Sequence, residues 1–283
     1  MMTGTRRSSR GIDQGWWLCY NSFGKQEGPL SKKRIPRQPQ YTEASGGIGI
    51  SLIPVPLRID TVSRELSELS AYPDEKLATI ISEVGFHCIL CGKCCTRVFN
   101  GHVFLLDRDA TAIKAIDPDA LEPAPFPEFC DQHGMFYVSG YALRAQDDEA
   151  GSCWFLSEGR CRIYDKRFTI CRIYPYMLHR EPDEQGKVDW RQFSGIDEHG
   201  EYHTGIPRDT CSAAAADTKE YELAYLRQEM AFLEYIRDYF ARNRLRHVQK
   251  IYDDRMRAYT KGEEIRVMVY SGGRLEEHRI CKG

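Results

Sequence analysis

The stretch Phe86-His-Cys-Ile-Leu-Cys-Gly-Lys-Cys-Cys-Thr96 contains four cysteines within eight residues. Two thiolates separated by two residues can reach one metal ion from a single tight turn, with a sulfur–zinc distance of about 2.3 Å. Gly92 suits such a turn because glycine adopts a positive φ without steric strain. The stretch therefore predicts a metal site whose first ligands are Cys88, Cys91, Cys94 and Cys95.

The adjacent pair Cys94 and Cys95 is harder to explain with a single ion. Neighbouring side chains diverge, so two consecutive thiolates do not easily bind the same tetrahedral metal. Three alternatives stay open for one member of the pair. It binds a second metal, it bridges two metals, or it remains a reactive thiol.

The composition is that of a soluble globular protein with a sizeable core. The chain has 283 residues, a formal net charge of −2 and 42% hydrophobic residues. These values exclude a nucleic-acid coat protein and a disordered acidic chain. Eight of the eleven cysteines lie between Cys88 and Cys171, and such clustering predicts metal ligands or redox centres.

A secreted disulfide scaffold would also be rich in cysteine, but such scaffolds are short and follow a signal peptide. The arginines at positions 6, 7 and 10 precede no apolar run of sufficient length, since Trp16–Tyr20 is far too short. No segment approaches the roughly 20 apolar residues of a membrane helix. We therefore expect a cytoplasmic protein with no membrane partner.

The sequence divides into three parts. Residues 1–55 are rich in Lys, Arg, Ser, Gly and Pro, which predicts a flexible basic arm, and nucleic-acid binding is not expected of it. Residues 56–212 contain the cysteine-cluster metal-binding domain. Residues 213–283 form a helical segment with a closing β-strand, which we expect to pack on the cysteine domain.

Local patterns predict an α+β fold in which a small cysteine-rich domain with short antiparallel strands precedes long amphipathic helices. Helices are expected at Asp74–Val84, where the apolar spacing ends at Gly85, and at Asp107–Ile116. Short strands are expected at these segments: Val103–Leu106, Met135–Arg144, Ser152–Leu156, Cys161–Tyr164, and a hairpin of Tyr176–His179 with Val188–Phe193.

The C-terminal part has a different pattern. Apolar residues recur at three- and four-residue steps from Leu223 to Phe240, which predicts a long helix whose apolar face covers the sheet or, alternatively, binds a protein partner. A second helix follows from Leu245 to Met256. The segment Ile265–Val269 alternates apolar with other residues and predicts a closing strand at the sheet edge.

Three further cysteines, Cys153, Cys161 and Cys171, form a second block. Seven and nine residues separate them, so they do not chelate locally, but each falls at a predicted turn or strand end. Folding could bring them to the first four cysteines, with Cys130 or Cys211 as an eighth donor. The donors would then suffice for two tetrahedral cysteine-rich sites or one multi-iron cluster.

The two blocks together resemble a known family. The first block reads Cys88-x-x-Cys91-Gly92-x-Cys94-Cys95, and it is followed by Cys153-x-Phe-Leu, Cys161-Arg-Ile-Tyr and Arg167-x-x-x-Cys171-Arg-x-Tyr-Pro175. This pattern closely resembles the CxxCxxCC family of zinc- or iron-chelating proteins, the YkgJ-type cysteine-cluster proteins. The combined pattern covers about residues 86–176. The resemblance implies a metal-chelating domain. Some members were labelled iron–sulfur oxidoreductases, and a flagellin lysine N-methylase carries a related cluster.

The chain departs from the family pattern at two points. Phe168 stands where the family commonly has proline before its last cysteine, which alters a turn but removes no ligand. Many members have a later Cys-Pro-Gly motif, whose nearest counterpart here is Phe193-Ser194-Gly195, without cysteine. The eighth ligand therefore stays open between Cys130 and Cys211.

The expected metal ligands are Cys88, Cys91, Cys94, Cys95, Cys153, Cys161 and Cys171. Zinc accepts closed sites of four cysteines, whereas the first three cysteines share the C-x₂-C-x₂-C spacing of bacterial iron–sulfur proteins. We place iron, as an iron–sulfur cluster or a single ion, ahead of zinc, because surplus cysteine suits a multinuclear site.

Histidines and arginines near the cysteines are not predicted to be metal ligands. His87, His102 and His133 are interpreted as surface or packing residues. The three arginines between and beside the later cysteines either lower the pKa of the thiols or form ion pairs with nearby acidic residues. These arginines are Arg162, Arg167 and Arg172.

Motifs of common enzyme classes are absent from the sequence: it has no Walker loop, dinucleotide fingerprint, nucleophile elbow, HExxH or radical-SAM-type CxxxCxxC. Two functions of different class remain open. One is a metal-binding module with a structural, sensory or carrier role. The other is an enzyme that uses an iron–sulfur centre for electron transfer or to modify another protein.

Overall fold

The computed structural model describes residues 53–176, 178 and 199–281, and the backbone of residues 180–182 and 188–190. The N-terminal arm predicted at residues 1–55 falls outside the described residues except for its last three positions. The division of the chain into three parts therefore stays a prediction.

The described residues form helices and short strands. The α-helices are α1 (Val55–Ser70), α2 (Asp74–Val84), α3 (Arg97–Asn100), α4 (Asp107–Ile116), α5 (Thr169–Ile173), α6 (Arg208–Asn243) and α7 (Gln249–Thr260). The strands are β1 (Leu121–Pro123), β2 (Phe129–Cys130), β3 (Phe136–Ser139), β4 (Tyr141–Leu143), β5 (Leu156–Ser157), β6 (Arg160–Cys161), β7 (Arg180–Pro182), β8 (Val188–Trp190), β9 (Ile265–Ser271) and β10 (Arg274–Ile280). The α+β class predicted from the sequence is confirmed.

The helix α2 ends just before the first cysteines. Asp74 and Glu75 lie in its first turn, where negative charge is favourable at the N-terminal end of the helix dipole. It ends at Gly85, which adopts a left-handed conformation with a φ of 54°. A Cβ atom at Gly85 would lie 2.4 Å from the carbonyl oxygen of Thr204. Glycine is therefore required here both for the turn and for the close approach of residue 204.

A four-stranded sheet in the order β10-β9-β3-β2 forms the centre of the fold. Strands β3 and β9 are parallel, with Phe136 opposite Val267, whereas the other neighbours in this sheet are antiparallel. The predicted edge position of Ile265–Val269 is wrong, because β10 turns back through Gly272 and pairs along the outer side of β9. The predicted terminal strand is thus a hairpin whose first strand is internal.

The sheet separates two apolar cores, since successive side chains of a strand point to opposite faces. Tyr137 packs in a core with α1, α2 and the long helix α6. Its neighbours Phe136 and Val138 pack in the other core with α4, and the later cysteines lie partly buried against this second core. The long amphipathic helix therefore covers one face of the sheet, while the second cysteine block lies against the opposite face.

All five predictions of short strands require correction. Of Cys161–Tyr164, only Cys161 lies in a strand, β6, and a 3₁₀ turn begins at Tyr164. The segment Met135–Arg144 is divided at Gly140, whose φ of 71° breaks it into β3 and β4 in two different sheets. Val103–Leu106 and Ser152–Leu156 form isolated bridges, apart from the start of β5 at Leu156. The predicted hairpin after residue 175 is present, but its strands are β7 and β8. Within the described residues, no helix is long and apolar enough to cross a membrane.

Candidate metal centre

The first four cysteines lie on an irregular loop after α2, named here the cysteine loop (residues 88–96). Leu90 and Gly92 both have positive φ values, of 59° and 71°. A short 3₁₀ turn at Lys93–Cys95 follows, closed by the N–H of Cys95 donating to the carbonyl oxygen of Gly92 at 2.9 Å. The left-handed turn predicted at Gly92 is therefore confirmed.

Backbone pairing brings the second block of cysteines onto this loop. The N–H of Cys153 donates to the carbonyl oxygen of Cys95 at 2.8 Å, and Thr96 forms a bridge with Ser152. The β5–β6 hairpin then places Cys161 opposite Leu156, whose side chain lies 3.5 Å from the position of a Cβ at Gly92. The short helix α5 carries the last of the three cysteines, Cys171.

Six thiols from the two blocks lie close enough to perturb one another electrostatically. We call them the thiol cluster: Cys88, Cys94, Cys95, Cys153, Cys161 and Cys171. Burial, followed by the neighbouring cysteines, raises the pKa of Cys153 to about 11 and raises the pKa of Cys171 further. Burial also raises the pKa of Cys161. Because the thiolate charges repel one another and are partly desolvated, these sulfurs hold their protons at neutral pH.

The adjacent cysteines behave as a hydrogen-bonded pair. The hydrogen bond from Cys94 lowers the pKa of Cys95 to about 7, helped by the positive charge of Arg167. The same hydrogen bond, together with burial, raises the pKa of Cys94. Cys95 is therefore the member of the pair that becomes a thiolate first.

Arg167 influences the pKa of several members of the thiol cluster, while Arg162 influences that of Cys161. The Arg167 guanidinium lies 3.7 Å from the ring centroid of Tyr164, and its Nε donates to the Tyr164 carbonyl oxygen at 3.0 Å. The pKa of Tyr164 is raised by burial and also by the Cys88 thiol, which lies close enough to act on it. The charge of Arg167 opposes the rise in pKa of both Cys161 and Cys171. The positive charge of Arg167 therefore favours the thiolate forms of these cysteines, which is one of the two roles that the sequence leaves open for it.

Cys91 occupies a different position from the thiol cluster. It is exposed and lines a cavity of about 530 Å³ beside the cysteine loop. His199 lines the same cavity and is 8% exposed, with its ring packed against Phe86, Phe99 and Tyr174. Sequence reasoning missed His199, because nothing near it in the chain indicates that it meets the cysteine loop.

The two candidates for an eighth ligand lie in the apolar cores. Cys130 is buried on β2, and its thiol donates to the carbonyl oxygen of Asp131 at 3.7 Å. Burial raises its pKa to about 12. Cys211 is buried in the other core on α6 and donates to the carbonyl oxygen of Ile206 at 3.9 Å. Their assignment as an additional metal ligand stays a prediction.

The histidines considered from the sequence have surface and packing environments. His87 and His133 are exposed. Burial and the charge of Arg97 lower the pKa of His102 to about 4, so this imidazole is neutral at physiological pH.

The seven predicted cysteine ligands suit a metal site by their chemical type and number. Their side chains, however, are not close enough together to coordinate one ion. Seven thiols lie on or beside one loop, which is more than one tetrahedral ion requires. Within residues 53–176, 178 and 199–281, however, no three His, Cys, Asp or Glu side chains are arranged to hold a metal ion. Binding would require the sulfurs to lose their protons and approach one another, which couples metal affinity to pH.

Residues 87–199 match the CxxCxxCC family model, described as "Putative zinc- or iron-chelating domain". This segment is a CxxCxxCC domain. The family match contains the cysteine loop and the whole second block, and it ends at the cavity residue His199. The resemblance seen in the two cysteine motifs is thus confirmed, and the CxxCxxCC domain is the part of the chain to which zinc or iron chelation is attributed.

One curated relative matches about a third of the chain. The uncharacterized protein MJ0661 of Methanocaldococcus jannaschii is 28% identical over 108 residues, which are 36% of this chain and 51% of that protein. The match therefore spans about half the length of the relative. No solved structure matches the chain.

Proposed function

We propose that the chain binds iron, preferably as an iron–sulfur cluster, through the cysteine loop and the second cysteine block. The ligands are drawn from the seven predicted positions, Cys88, Cys91, Cys94, Cys95, Cys153, Cys161 and Cys171. Zinc is the alternative metal. An iron–sulfur cluster would supply one-electron transfer, whereas a closed zinc site would stabilise the fold.

The observation that carries this proposal is the assembly of thiols from two distant sequence blocks. Residues 88–95 and 153–171 are separated by more than fifty positions, yet the backbone of Cys153 bonds directly to that of Cys95. Each thiolate raises the pKa of its neighbours, so the thiols stay protonated at neutral pH unless a bound cation stabilises the thiolate form.

Two features favour iron over zinc. The sulfurs outnumber the four ligands of a tetrahedral zinc ion, which suits a multinuclear centre. Arg167 also places a fixed positive charge beside sulfurs that would carry several negative charges, and such neighbouring groups tune the affinity and reduction potential of a metal centre.

An enzymatic role is the second candidate, as an iron–sulfur oxidoreductase or a protein-modifying enzyme of the lysine N-methylase type. The position of Cys91 favours a reactive centre, because this thiol is exposed on a cavity while the other sulfurs are partly buried. Structural metal sites are usually closed, whereas reactive ones keep an accessible side.

Anaerobic purification followed by metal and sulfide analysis and a visible absorption spectrum tests the proposal. We expect iron, acid-labile sulfide and a brown chromophore that dithionite bleaches. Stoichiometric zinc in a colourless protein would replace the iron assignment with a zinc one. A protein that retains neither metal under these conditions would refute metal binding.

Matched cysteine variants test the ligand set in the same preparation. Cys171→Ala should lose most of the bound metal, whereas Cys281→Ala, which removes an exposed thiol near the end of the chain, should retain it. Cys130→Ala and Cys211→Ala test the eighth position. Equal metal content in the Cys171 and Cys281 variants would remove Cys171 from the ligand set.

A further inference from the structure

A tight turn at Cys153 links three cysteines of the candidate metal centre through the backbone. The N–H of Cys153 donates to the carbonyl oxygen of Cys95, and its own carbonyl oxygen accepts the N–H of Leu156 at 2.8 Å. This second bond closes a β-turn over residues 153–156, named here the Cys153 turn. Its last residue, Leu156, begins β5 opposite Cys161. The Cys153 turn therefore sets where Cys161 lies relative to Cys153 and Cys95.

The side chain of Gln146 holds both ends of the Cys153 turn. Its amide nitrogen Nε2 donates to the carbonyl oxygen of Cys153 at 2.8 Å and to that of Leu156 at 2.5 Å. A primary amide nitrogen carries two hydrogens, so each bond uses one of them. Because the side chain is partly buried, its removal would leave both carbonyl oxygens with one donor fewer.

The backbone that carries Gln146 is itself hydrogen-bonded. The N–H of Gln146 donates to the carbonyl oxygen of Ser152 at 2.7 Å, and the preceding residue, Ala145, forms a bridge with Cys153. The carboxylate of Asp148, in the loop between them, accepts the N–H of Ser152 at 2.8 Å. The amide of Gln146 therefore reaches the Cys153 turn from a fixed position.

The three cysteines around the Cys153 turn act on one another. Burial raises the pKa of Cys153, and the charges of Cys95 and Cys161 raise it further. A metal ion needs these sulfurs as thiolates and close together. A turn of fixed shape lowers the cost of bringing them together, because fewer backbone arrangements are lost when the metal binds.

We propose that Gln146 is a positioning residue of the metal centre. Its amide fixes the Cys153 turn, and through this turn the spacing between Cys153 and Cys161, without touching the metal. Only the nitrogen end of an amide suits this place, because both of its partners are hydrogen-bond acceptors. The inference rests on the proposed function, since Cys153 and Cys161 are two of the proposed ligands.

Gln146→Met removes both donors while keeping a side chain of similar length. In a chelator competition on the anaerobically purified, metal-loaded protein, this variant should bind metal about 10–100-fold more weakly than the wild type, the usual range for groups that orient metal ligands. If Gln146→Met does not fold, Gln146→Asn takes its place, because its amide is one methylene too short to reach both carbonyl oxygens.

Gln228→Met is the matched control. Gln228 is also partly buried, and its side chain also joins two backbone groups: its Oε1 accepts the N–H of Asp107 at 2.8 Å and its Nε2 donates to the carbonyl oxygen of Leu105 at 3.4 Å. None of these three residues neighbours a cysteine in the chain. The control should lose stability in thermal unfolding but bind metal as the wild type does. Equal metal affinity in the Gln146 and Gln228 variants would overturn the proposal.

Alkylation by iodoacetamide locates the effect among the cysteines. At saturating metal, mass spectrometry should show Cys153 and Cys161 protected in the wild type and alkylated in Gln146→Met, while Cys88 stays protected in both. A loss of protection spread equally over all three would indicate general loosening and would overturn the positioning role.

Metal analysis of the wild type separates the two proposals. A wild type without metal refutes the proposed function and the positioning role with it. A metal-loaded wild type whose affinity is unchanged by Gln146→Met refutes only the positioning role.

Discussion

Replacing the buried carboxyl of Glu222 with an amide should flatten the dependence of stability on pH. Glu222 lies on α6, is 5% exposed, and accepts a hydrogen bond from the N–H of Leu178 at 3.1 Å. Burial raises its pKa from 4.5 to about 8. The hydrogen bond opposes this rise without cancelling it, so the carboxyl is protonated in the folded chain at neutral pH.

The sign of the effect follows from proton binding. Between pH 4.5 and about 8 the folded chain holds a proton that the unfolded chain has released, so the free energy of unfolding falls as the pH rises. The contribution is fully present below the unfolded pKa and is lost as the pH passes through the folded one. Each pH unit within this window costs about 1.4 kcal/mol, so the wild type should lose about 3 kcal/mol between about pH 5 and pH 7 from this group.

Urea unfolding at the two pH values measures the change. Glu222→Gln keeps an acceptor for Leu178 but has no proton to lose, so its free energy of unfolding should fall by about 3 kcal/mol less than that of the wild type over this range. Glu220→Gln is the control, because Glu220 lies two residues away on the same helix but is exposed. Parallel pH profiles for the wild type and Glu222→Gln would refute a protonated Glu222.

Three further changes test the site and its support. Gly85→Ala should lower the free energy of unfolding in urea by about 2–4 kcal/mol, because the new Cβ meets the backbone of Thr204. Gly159 also has a left-handed conformation but lies in open space, so Gly159→Ala should cost only about 1 kcal/mol. Equal costs for the two variants would contradict the steric argument. Arg167→Gln should weaken metal binding about tenfold in a chelator competition, whereas the exposed neighbour Arg160→Gln should not. Cys91→Ser should lower bound metal and the unfolding temperature together, and unchanged metal content would exclude Cys91 as a ligand.

Helix boundaries were predictable where local signals agree. The helices Asp74–Val84 and Asp107–Ile116 begin and end where the sequence indicated. In both, the apolar spacing is helical and a strong stop follows, Gly85 in one case and Asp117 before proline in the other. These signals act within a few residues, so they do not depend on the rest of the fold.

Strand partners were not predictable from local patterns. The alternation in Ile265–Val269 indicated a strand, but its parallel partner β3 lies about 130 residues earlier. The division of Met135–Arg144 at Gly140 likewise depends on its surroundings, because the N–H of Gly140 bonds to the carbonyl oxygen of Tyr270. Pairing energy between distant strands, which one segment does not reveal, decides these features.

The chemical type of the candidate site could be predicted from the sequence. Four cysteines in eight residues, a glycine at the turn and a second cysteine block predict a thiol-rich metal site and resemble the CxxCxxCC family, because the spacing of donors along a short loop is a local property. Three relations are visible only in the tertiary structure. Cys91 lines a cavity outside the thiol cluster, and His199 lines the same cavity. Arg167 lies near the sulfur of Cys95. Those relations arise when the cysteine loop, the β5–β6 turn and residues 199–200 pack together, and side-chain environment is set by such contacts between distant segments of the chain.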